Sequence, residues 1–137
     1  MASRTYKAKR KNWRELPREK WWIEGAIFEG KENSYIITNV KVTDEWEDSE
    51  IWADVIGYLV DPETICQDTG LTDKNGRKIF ESDIVRVGKD IYIVFWSECN
   101  YEIGIKNKEE SMGIAYVYPG GIWVIGNIFD NPELIGE

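Results

Sequence analysis

The chain has 137 residues, of which 42% are hydrophobic and 31% charged, and it contains no histidine. This length is typical of one domain, residues 1–137, and the composition is too apolar for a disordered chain. No apolar run approaches the roughly 18 residues of a membrane-spanning helix, and no signal-peptide core is present, so we expect a cytoplasmic protein without membrane contact. The absence of histidine excludes catalytic triads and general bases that depend on it.

The net charge of -8 is distributed unevenly along the chain. Residues 1–20, here called the basic segment, hold eight Lys and Arg against two Glu, a charge of +6, so the remainder carries -14. We expect this segment to be an N-terminal arm. Such an arm binds an acidic partner, or it lies on an acidic face of its own or a neighbouring domain.

One tryptophan lies inside the basic segment, and this pattern is typical of nucleic-acid binders. Cations neutralise phosphates while an aromatic face stacks on bases. The alternative for Trp13 is a structural one, a cap over a sheet edge. The candidate nucleic-acid-binding residues are Lys7, Lys9, Arg10, Lys11, Trp13 and Arg14.

Strand signals dominate after residue 20. The segments WWIEGAIF (21–28) and SYIITNVKV (34–42) are short, aromatic and β-branched, and the loop between them has hairpin residues. In the run IWADVIGYLV (51–60), the spacing of hydrophobic residues fits both a strand and a short helix weakly, and we favour a strand. The acidic stretch 43–50 lacks the glycine that a calcium loop requires, which favours a solvated loop over a metal site.

The segments after residue 60 again predict short strands separated by turns. Asp61 and Pro62 predict a turn or a single helical turn. Residues 84–96 predict a hairpin hinged at residues 88–90, and residues 112–129 a second hairpin hinged at residues 119–121. Short strands separated by glycine turns predict an all-β, mainly antiparallel fold, either a β sandwich or a partly open barrel with short helical turns.

The two cysteines, Cys66 and Cys99, have neither metal-ligand spacing nor histidine to complete a site. One disulfide between them is possible. In a reducing cytosol, two free buried thiols are the favoured interpretation, and neither cysteine has the setting of a nucleophile.

The stretch TGLTDKNGRKIFESDIVRV (69–87) holds three carboxylates around an Asn-Gly pair. Asn75-Gly76 predicts a type I′ hairpin turn, in which both central residues have positive φ. Asp73, Glu81 and Asp83 are then expected to accept backbone amide bonds at the turn and at the following corner. The alternative is an enzyme in which these carboxylates hold a divalent ion or act as acid and base.

The longer segment VDPETICQDTGLTDKNGRKIFESDIVRV (60–87) resembles the signature of the YopX family, small proteins of phages and prophages. The segments YKAKRKNW, WIEGAIF and VIGNIFDNPELI resemble other parts of that family. The resemblance implies a mainly β fold and a phage origin, without an established activity. Ser82 replaces a usual family glycine, which suggests that its φ is negative. The family motif residues, expected to be structural, are Thr69, Gly70, Leu71, Asp73, Asn75, Gly76, Glu81 and Asp83.

We therefore expect a non-catalytic binding or accessory protein with no cofactor, no metal and no catalytic residue. Nucleic acid, contacted through the basic segment, is the leading ligand. A host or phage protein, contacted through the acidic surface of the remaining chain, is the alternative partner. A homo-oligomer is compatible with both interpretations.

Overall fold

The computed structural model describes residues 5–45, 51–99, 101–118 and 121–136. These residues form an all-β fold in which the helical elements are short 3-10 turns, as expected. No described helix is long and apolar enough to cross a membrane. The strands are β1 (Tyr6–Lys9), β2 (Trp22–Glu29), β3 (Ser34–Glu45), β4 (Ile51–Val60), β5 (Cys66–Thr72), β6 (Lys78–Phe80), β7 (Asp83–Val87), β8 (Asp90–Ser97), β9 (Glu102–Lys106), β10 (Ser111–Gly113) and β11 (Ile122–Asn127).

The chain divides into two compact units, Met1–Gln67 and Asp68–Glu137. All strand pairs in both units are antiparallel. Strand β5 belongs to both units, because its first residues pair with β1 and its later residues pair with β6. This division does not test the expectation of a single domain, which was based on the chain length and stays a prediction.

The first unit is a meander of β1 to β4 whose sheet curls back on itself. An isolated bridge between Arg10 and Val60 links the residue after β1 to the end of β4. This partial closure matches the partly open barrel, one of the two expected architectures. Its inner face buries a small core of Ala8, Ile36 and Val60, against which Tyr6, Ile23, Ile27 and Ile65 pack.

Strands β3 and β4 extend beyond the rest of this sheet as a two-stranded ribbon. Strand β2 pairs with β3 only as far as Ile37, whereas β3 and β4 continue to pair from Asn39 to Glu45. Register shifts interrupt the pairing after Ile37 and after Val42. The acidic loop expected at residues 43–50 begins later than predicted, because β3 runs to Glu45, and residues 46–50 lie outside the described residues.

The second unit contains a sheet with the order β10-β9-β8-β7-β11. Its core collects apolar residues from these strands, β6 and the turn Ile114–Tyr116: Ile79, Val85, Tyr92, Val94, Ile105, Ile114, Ile122 and Val124. At the rim of this core the Tyr92 hydroxyl donates a hydrogen bond to Glu110, which raises the pKa of Tyr92 to about 12.

The predicted hairpin at residues 84–96 is confirmed as β7 and β8, whereas the one predicted at residues 112–129 is wrong. Strands β10 and β11 pair with β9 and β7 at opposite edges of the sheet. The 3-10 turn Ile114–Tyr116 ends the first half of that segment, and β10 instead turns back on β9 through Asn107. Of the expected hinge, residues 119 and 120 lie outside the described residues.

Both cysteines are free thiols. Cys66 is buried at the start of β5, as expected. Cys99 is exposed, so the expectation that both thiols are buried is wrong for this residue, which lies in the turn after β8 rather than within a strand.

Candidate functional site

The basic segment is folded into the first unit and is not a separate arm along its described length. Strand β1 lies between β2 and β5, and Arg10 and Lys11 continue the contact by donating backbone bonds to Trp21 and Leu59. Two 3-10 turns, Trp13–Glu15 and Arg18–Lys20, follow before β2 begins. The expectation of an arm is therefore corrected, because β1 is paired along both edges and all four of its residues are buried or half-buried.

Lys9 is buried at 2% exposure under three tryptophans. Its Nζ lies 3.8 Å from the ring centroid of Trp13, 4.5 Å from that of Trp21 and 5.6 Å from that of Trp22. A desolvated ammonium close to aromatic faces is favoured by the ring quadrupoles. Lys9 therefore belongs to the interior of the unit and is not positioned to contact phosphates, contrary to its place among the candidate binding residues.

Two arginines complete this tryptophan–cation cluster from outside. The guanidinium carbon of Arg14 lies 4.3 Å from the Trp13 centroid, and that of Arg18 lies 5.3 Å from the Trp21 centroid. The two indoles meet edge to face, with centroids 4.8 Å apart. Trp21 Nε1 donates a hydrogen bond to the Leu16 carbonyl, whereas Trp13 Nε1 is buried and has no hydrogen-bond partner.

The structure thus favours the structural interpretation of Trp13 over base stacking. Its ring is half-buried and already contacts Lys9, Arg14 and Trp21. Trp21 and Trp22, which also belong to the cluster, were not among the residues predicted from the sequence. A sequence pattern that could have indicated these contacts is the combination of two lysines at alternate positions, Lys7 and Lys9, with two adjacent tryptophans at the start of the next strand.

The outer side of the basic segment keeps an exposed cationic surface, formed by Lys11, Arg14, Arg18 and Lys20. We call this set the cationic surface. Arg10 is half-buried, and its guanidinium stacks 4.5 Å from the ring centroid of Tyr58. A shallow cavity of about 390 Å³ beside it is lined by Arg10, Lys11, Asn12, Tyr58 and Leu59.

The family motif residue Asp73 organises its loop through backbone hydrogen bonds. Oδ1 accepts from the amides of Asn75 and Arg77 at 2.9 and 2.8 Å, and Oδ2 accepts from Val124 at 2.9 Å. Burial raises the pKa of Asp73, but the three amides and the Arg77 charge outweigh it, and the pKa is lowered. The carboxylate therefore ties the loop to β11, which supports a structural role.

The Asn75-Gly76 turn differs from the predicted type I′ geometry. Gly76 has φ of 81°, whereas Asn75 is not among the described non-glycine residues with positive φ. The turn is closed by the Gly76 amide donating to the Asp73 carbonyl and the Asp73 amide donating to the Arg77 carbonyl. A five-residue loop fixed by Asp73 therefore replaces the tight two-residue hairpin, because the side chain itself accepts two of the loop amides.

The preceding motif residues form a second fixed turn within β5. Thr69 Oγ1 donates to the Ile79 carbonyl at 2.6 Å and accepts the Leu71 amide at 3.2 Å. Gly70 has φ of 81°, and its amide donates to Asp68. Each of these contacts satisfies a local backbone or hydroxyl group, and Leu71 packs against the core of the second unit.

At the corner before β7, Asp83 behaves as predicted. It is buried, and its Oδ2 accepts the Phe80 amide at 2.8 Å. Ser82 contradicts the expectation of a negative φ, because its φ is 71°. Its amide donates to Val94 and its carbonyl accepts from Ile128, so two backbone bonds hold this residue in the left-handed conformation.

The carboxylates of this motif do not form a metal centre. Among the described residues, no group of three or more Asp, Glu, Cys or His side chains could hold a metal ion. Asp73 and Asp83 instead face separate backbone amides, and Glu81 lies half-buried beside the corner. The hypothesis of a metal-dependent enzyme built on Asp73, Glu81 and Asp83 therefore has no support in the geometry.

Comparisons with known proteins agree with this architecture. The crystal structure of protein EF1440 from Enterococcus faecalis is similar to this chain, with a TM-score of 0.58 and 25% sequence identity, over 98% of this chain and 99% of that chain. No curated protein matches the sequence. The family model described as YopX protein matches residues 11–136. Since that match spans nearly the whole chain, the chain belongs to the YopX family.

Proposed function

We propose that this YopX family member is a non-catalytic nucleic-acid-binding protein of a phage or prophage, acting in the bacterial cytoplasm. It contacts phosphates through the cationic surface of Lys11, Arg14, Arg18 and Lys20. The observation that supports this proposal is the exposure of four cations on one folded segment, two of them held against tryptophan rings.

The packing of Arg14 and Arg18 on indole rings favours phosphate binding. A guanidinium that is already ordered loses less conformational entropy on binding a phosphate than a mobile side chain does. Arg presents its donors in a fixed fork that suits phosphate.

The charge distribution limits the affinity and sets the salt dependence. The chain outside residues 1–20 carries -14 and repels a polyanion. Four exposed cations neutralise about three phosphates, which gives a log–log salt slope of about -2 to -3 for duplex DNA. Since the Trp13 ring is occupied, we expect weak binding that tolerates any base sequence.

Fluorescence anisotropy with labelled single and double strands over a salt series tests this proposal. Because β1 is an inner strand, truncation would damage the fold, so charge reversal is the appropriate change. The test variant combines Lys11→Glu, Arg14→Glu and Arg18→Glu. The control combines Lys31→Glu, Lys89→Glu and Lys108→Glu, which are exposed elsewhere and change the net charge equally.

We expect the test variant to lose binding at low salt while the control retains most of it. Equal losses of binding in both variants would mean that binding depends on net charge and not on the cationic surface. Absence of binding by the parent chain would overturn the proposal. The second candidate, a basic host or phage protein bound by the acidic remainder of the chain, is favoured by the charge of -14 and would then take precedence.

A further inference from the structure

The ribbon of β3 and β4 exposes an unusual number of apolar side chains. Val40, Val42, Trp52, Val55 and Ile56 are 45–63% exposed. Val40, Val42 and Val55 share one face, which Phe28 and Leu59 extend onto the neighbouring part of the sheet, whereas Trp52 and Ile56 lie on the opposite face. Exposed apolar groups scattered singly are ordinary, but a group concentrated on one element marks an interaction surface.

The edge of β4 is also open to pairing in the described part of the chain. The backbones of Arg10 and Lys11 reach the end of β4 at Val60 and Leu59, and the Arg10 guanidinium stacks on the ring of Tyr58. Between residues 53 and 58, β4 pairs on one side with β3, and no described strand pairs with it on the other. A long, apolar edge strand without proline is a template for another strand, and β4 holds only one charged residue, Asp54.

The ribbon has little support from its own unit. Beyond Ile37 it consists of two strands, and described residues on both of its faces are exposed. A two-stranded ribbon is marginally stable in water, whereas a third and fourth strand with a shared apolar face stabilise it. Pairing two ribbons through their β4 edges would supply these strands.

We propose that β4 pairs antiparallel with β4 of a second copy of this chain, about a twofold axis near Val55. In this register Val55 faces its symmetry mate, Ala53 faces Gly57, and Asp54 faces Ile56. The two Asp54 carboxylates are then not directly opposite each other, so like charges do not meet across the pair. The ribbons become one continuous four-stranded sheet with a shared apolar face.

The chemistry of the β4 edge favours a second copy over a basic or acidic partner. Between residues 53 and 57 this edge carries one charged side chain, Asp54, which lies opposite Lys41 of β3, so it offers little attraction to a strongly charged strand. The register about Val55 also places the small residues Ala53 and Gly57 opposite each other, which lets the two strands approach closely. The paired backbones and the flanking side chains of β4 form the interface.

Sedimentation equilibrium of the full chain tests the association. We expect twice the chain mass for the parent, a single chain mass for Val55→Lys, and the parent mass for the control Tyr116→Lys, an exposed aromatic of the second unit. A cooperative thermal unfolding transition in each variant would verify that the variants fold. A parent chain that stays monomeric at its highest concentration, or a Val55→Lys variant that still dimerises, would overturn the proposal.

Disulfide trapping tests the register independently. In a Cys99→Ser background, Val55→Cys should form a covalent dimer under mild oxidation, because antiparallel neighbours lie within reach of a disulfide. Val40→Cys, directly opposite Val55 on β3, should not, since the two β3 strands would be separated by about 14 Å. Equal rates of trapping at both positions would refute this edge pairing. Nucleic-acid binding is measured separately, so the two proposals fail independently.

Discussion

Asp73 shows how one side chain can replace several backbone contacts. We predict that Asp73→Asn lowers the free energy of unfolding by about 1–3 kcal/mol. In the parent, three backbone amides donate to the two carboxylate oxygens of Asp73. In the variant, the side-chain NH₂ group replaces one of these oxygens, so at least one backbone amide faces a donor instead of an acceptor. Chemical denaturation at neutral pH measures the loss. A variant as stable as the parent would mean that these bonds do not hold the loop in solution.

The same variant isolates the pH dependence of Asp73. The pKa of Asp73 in the folded state lies below the ordinary value of 3.8. The contribution of its carboxylate to folding stability is therefore complete above pH 3.8 and is lost as the pH falls through the folded-state pKa. The stability difference between parent and Asp73→Asn should therefore be constant from pH 7 to about pH 5 and shrink below pH 4. Thermal unfolding over this pH range is the measurement.

Ser82 holds a left-handed conformation that costs a non-glycine residue about 1–2 kcal/mol. Glycine removes this cost but adds about 0.5–1 kcal/mol of backbone entropy in the unfolded chain. We predict that Ser82→Gly raises the free energy of unfolding by about 0.5–1 kcal/mol as the net of these two effects. Ser82→Ala, which keeps the strain, serves as the control, and an equal gain in both variants would assign the effect to the hydroxyl instead.

At the scale of elements, the tryptophan–cation cluster joins β1 to the two 3-10 turns and β2. We predict that Lys9→Met, which keeps the length and apolar character of the side chain, lowers the free energy of unfolding by about 1–2 kcal/mol. Tryptophan fluorescence should change in the same variant. Lys11→Met, at an exposed position, is the matched control. An unchanged melting temperature for Lys9→Met would show that burial of the ammonium offsets its attraction to the rings.

The sequence predicted elements best where local chemistry alone determines them. The run 51–60 forms β4 with the predicted bounds, and Asp61 accepts the Glu63 amide at the start of the turn Pro62–Thr64. Strand β1 escaped prediction because its two lysines resemble a solvated basic segment, whereas in the folded chain Lys9 is buried against the rings of Trp13 and Trp21. A long-range partner, β7, also decided the position of β11 at the sheet edge opposite to β10.

At the scale of the candidate site, the sequence identified Asp73 and Asp83 as amide acceptors but could not give their partners. Val124, which donates to Asp73, lies 51 residues further along the chain. The positive φ of Ser82 was missed because it depends on backbone bonds to Val94 and Ile128 rather than on the serine itself. Such contacts are created by the sheet and leave no local pattern.

At the scale of the whole molecule, net charge gives the two proposals opposite salt dependences. Two copies that each carry -8 repel each other, so screening should strengthen self-association. Added salt should weaken nucleic-acid binding, because the release of counterions from the nucleic acid gains less entropy when the salt concentration of the solution is high. We predict that raising salt tenfold increases the dimer fraction in sedimentation while it reduces the anisotropy signal. A parallel change in both would indicate that one process depends on the other.

The pairing of β1 with β5 also has a consequence for synthesis of the chain. Tyr6 and Lys7 pair with Gln67 and Cys66, so the nascent first strand lacks this neighbour until some sixty further residues have been translated. At ~5–20 residues per second, that interval lasts about 3–12 s. During it, β1 has β2 as its strand neighbour and an unpaired second edge, and the rate at which the ribosome delivers Cys66 sets the earliest moment at which the sheet of the first unit is complete.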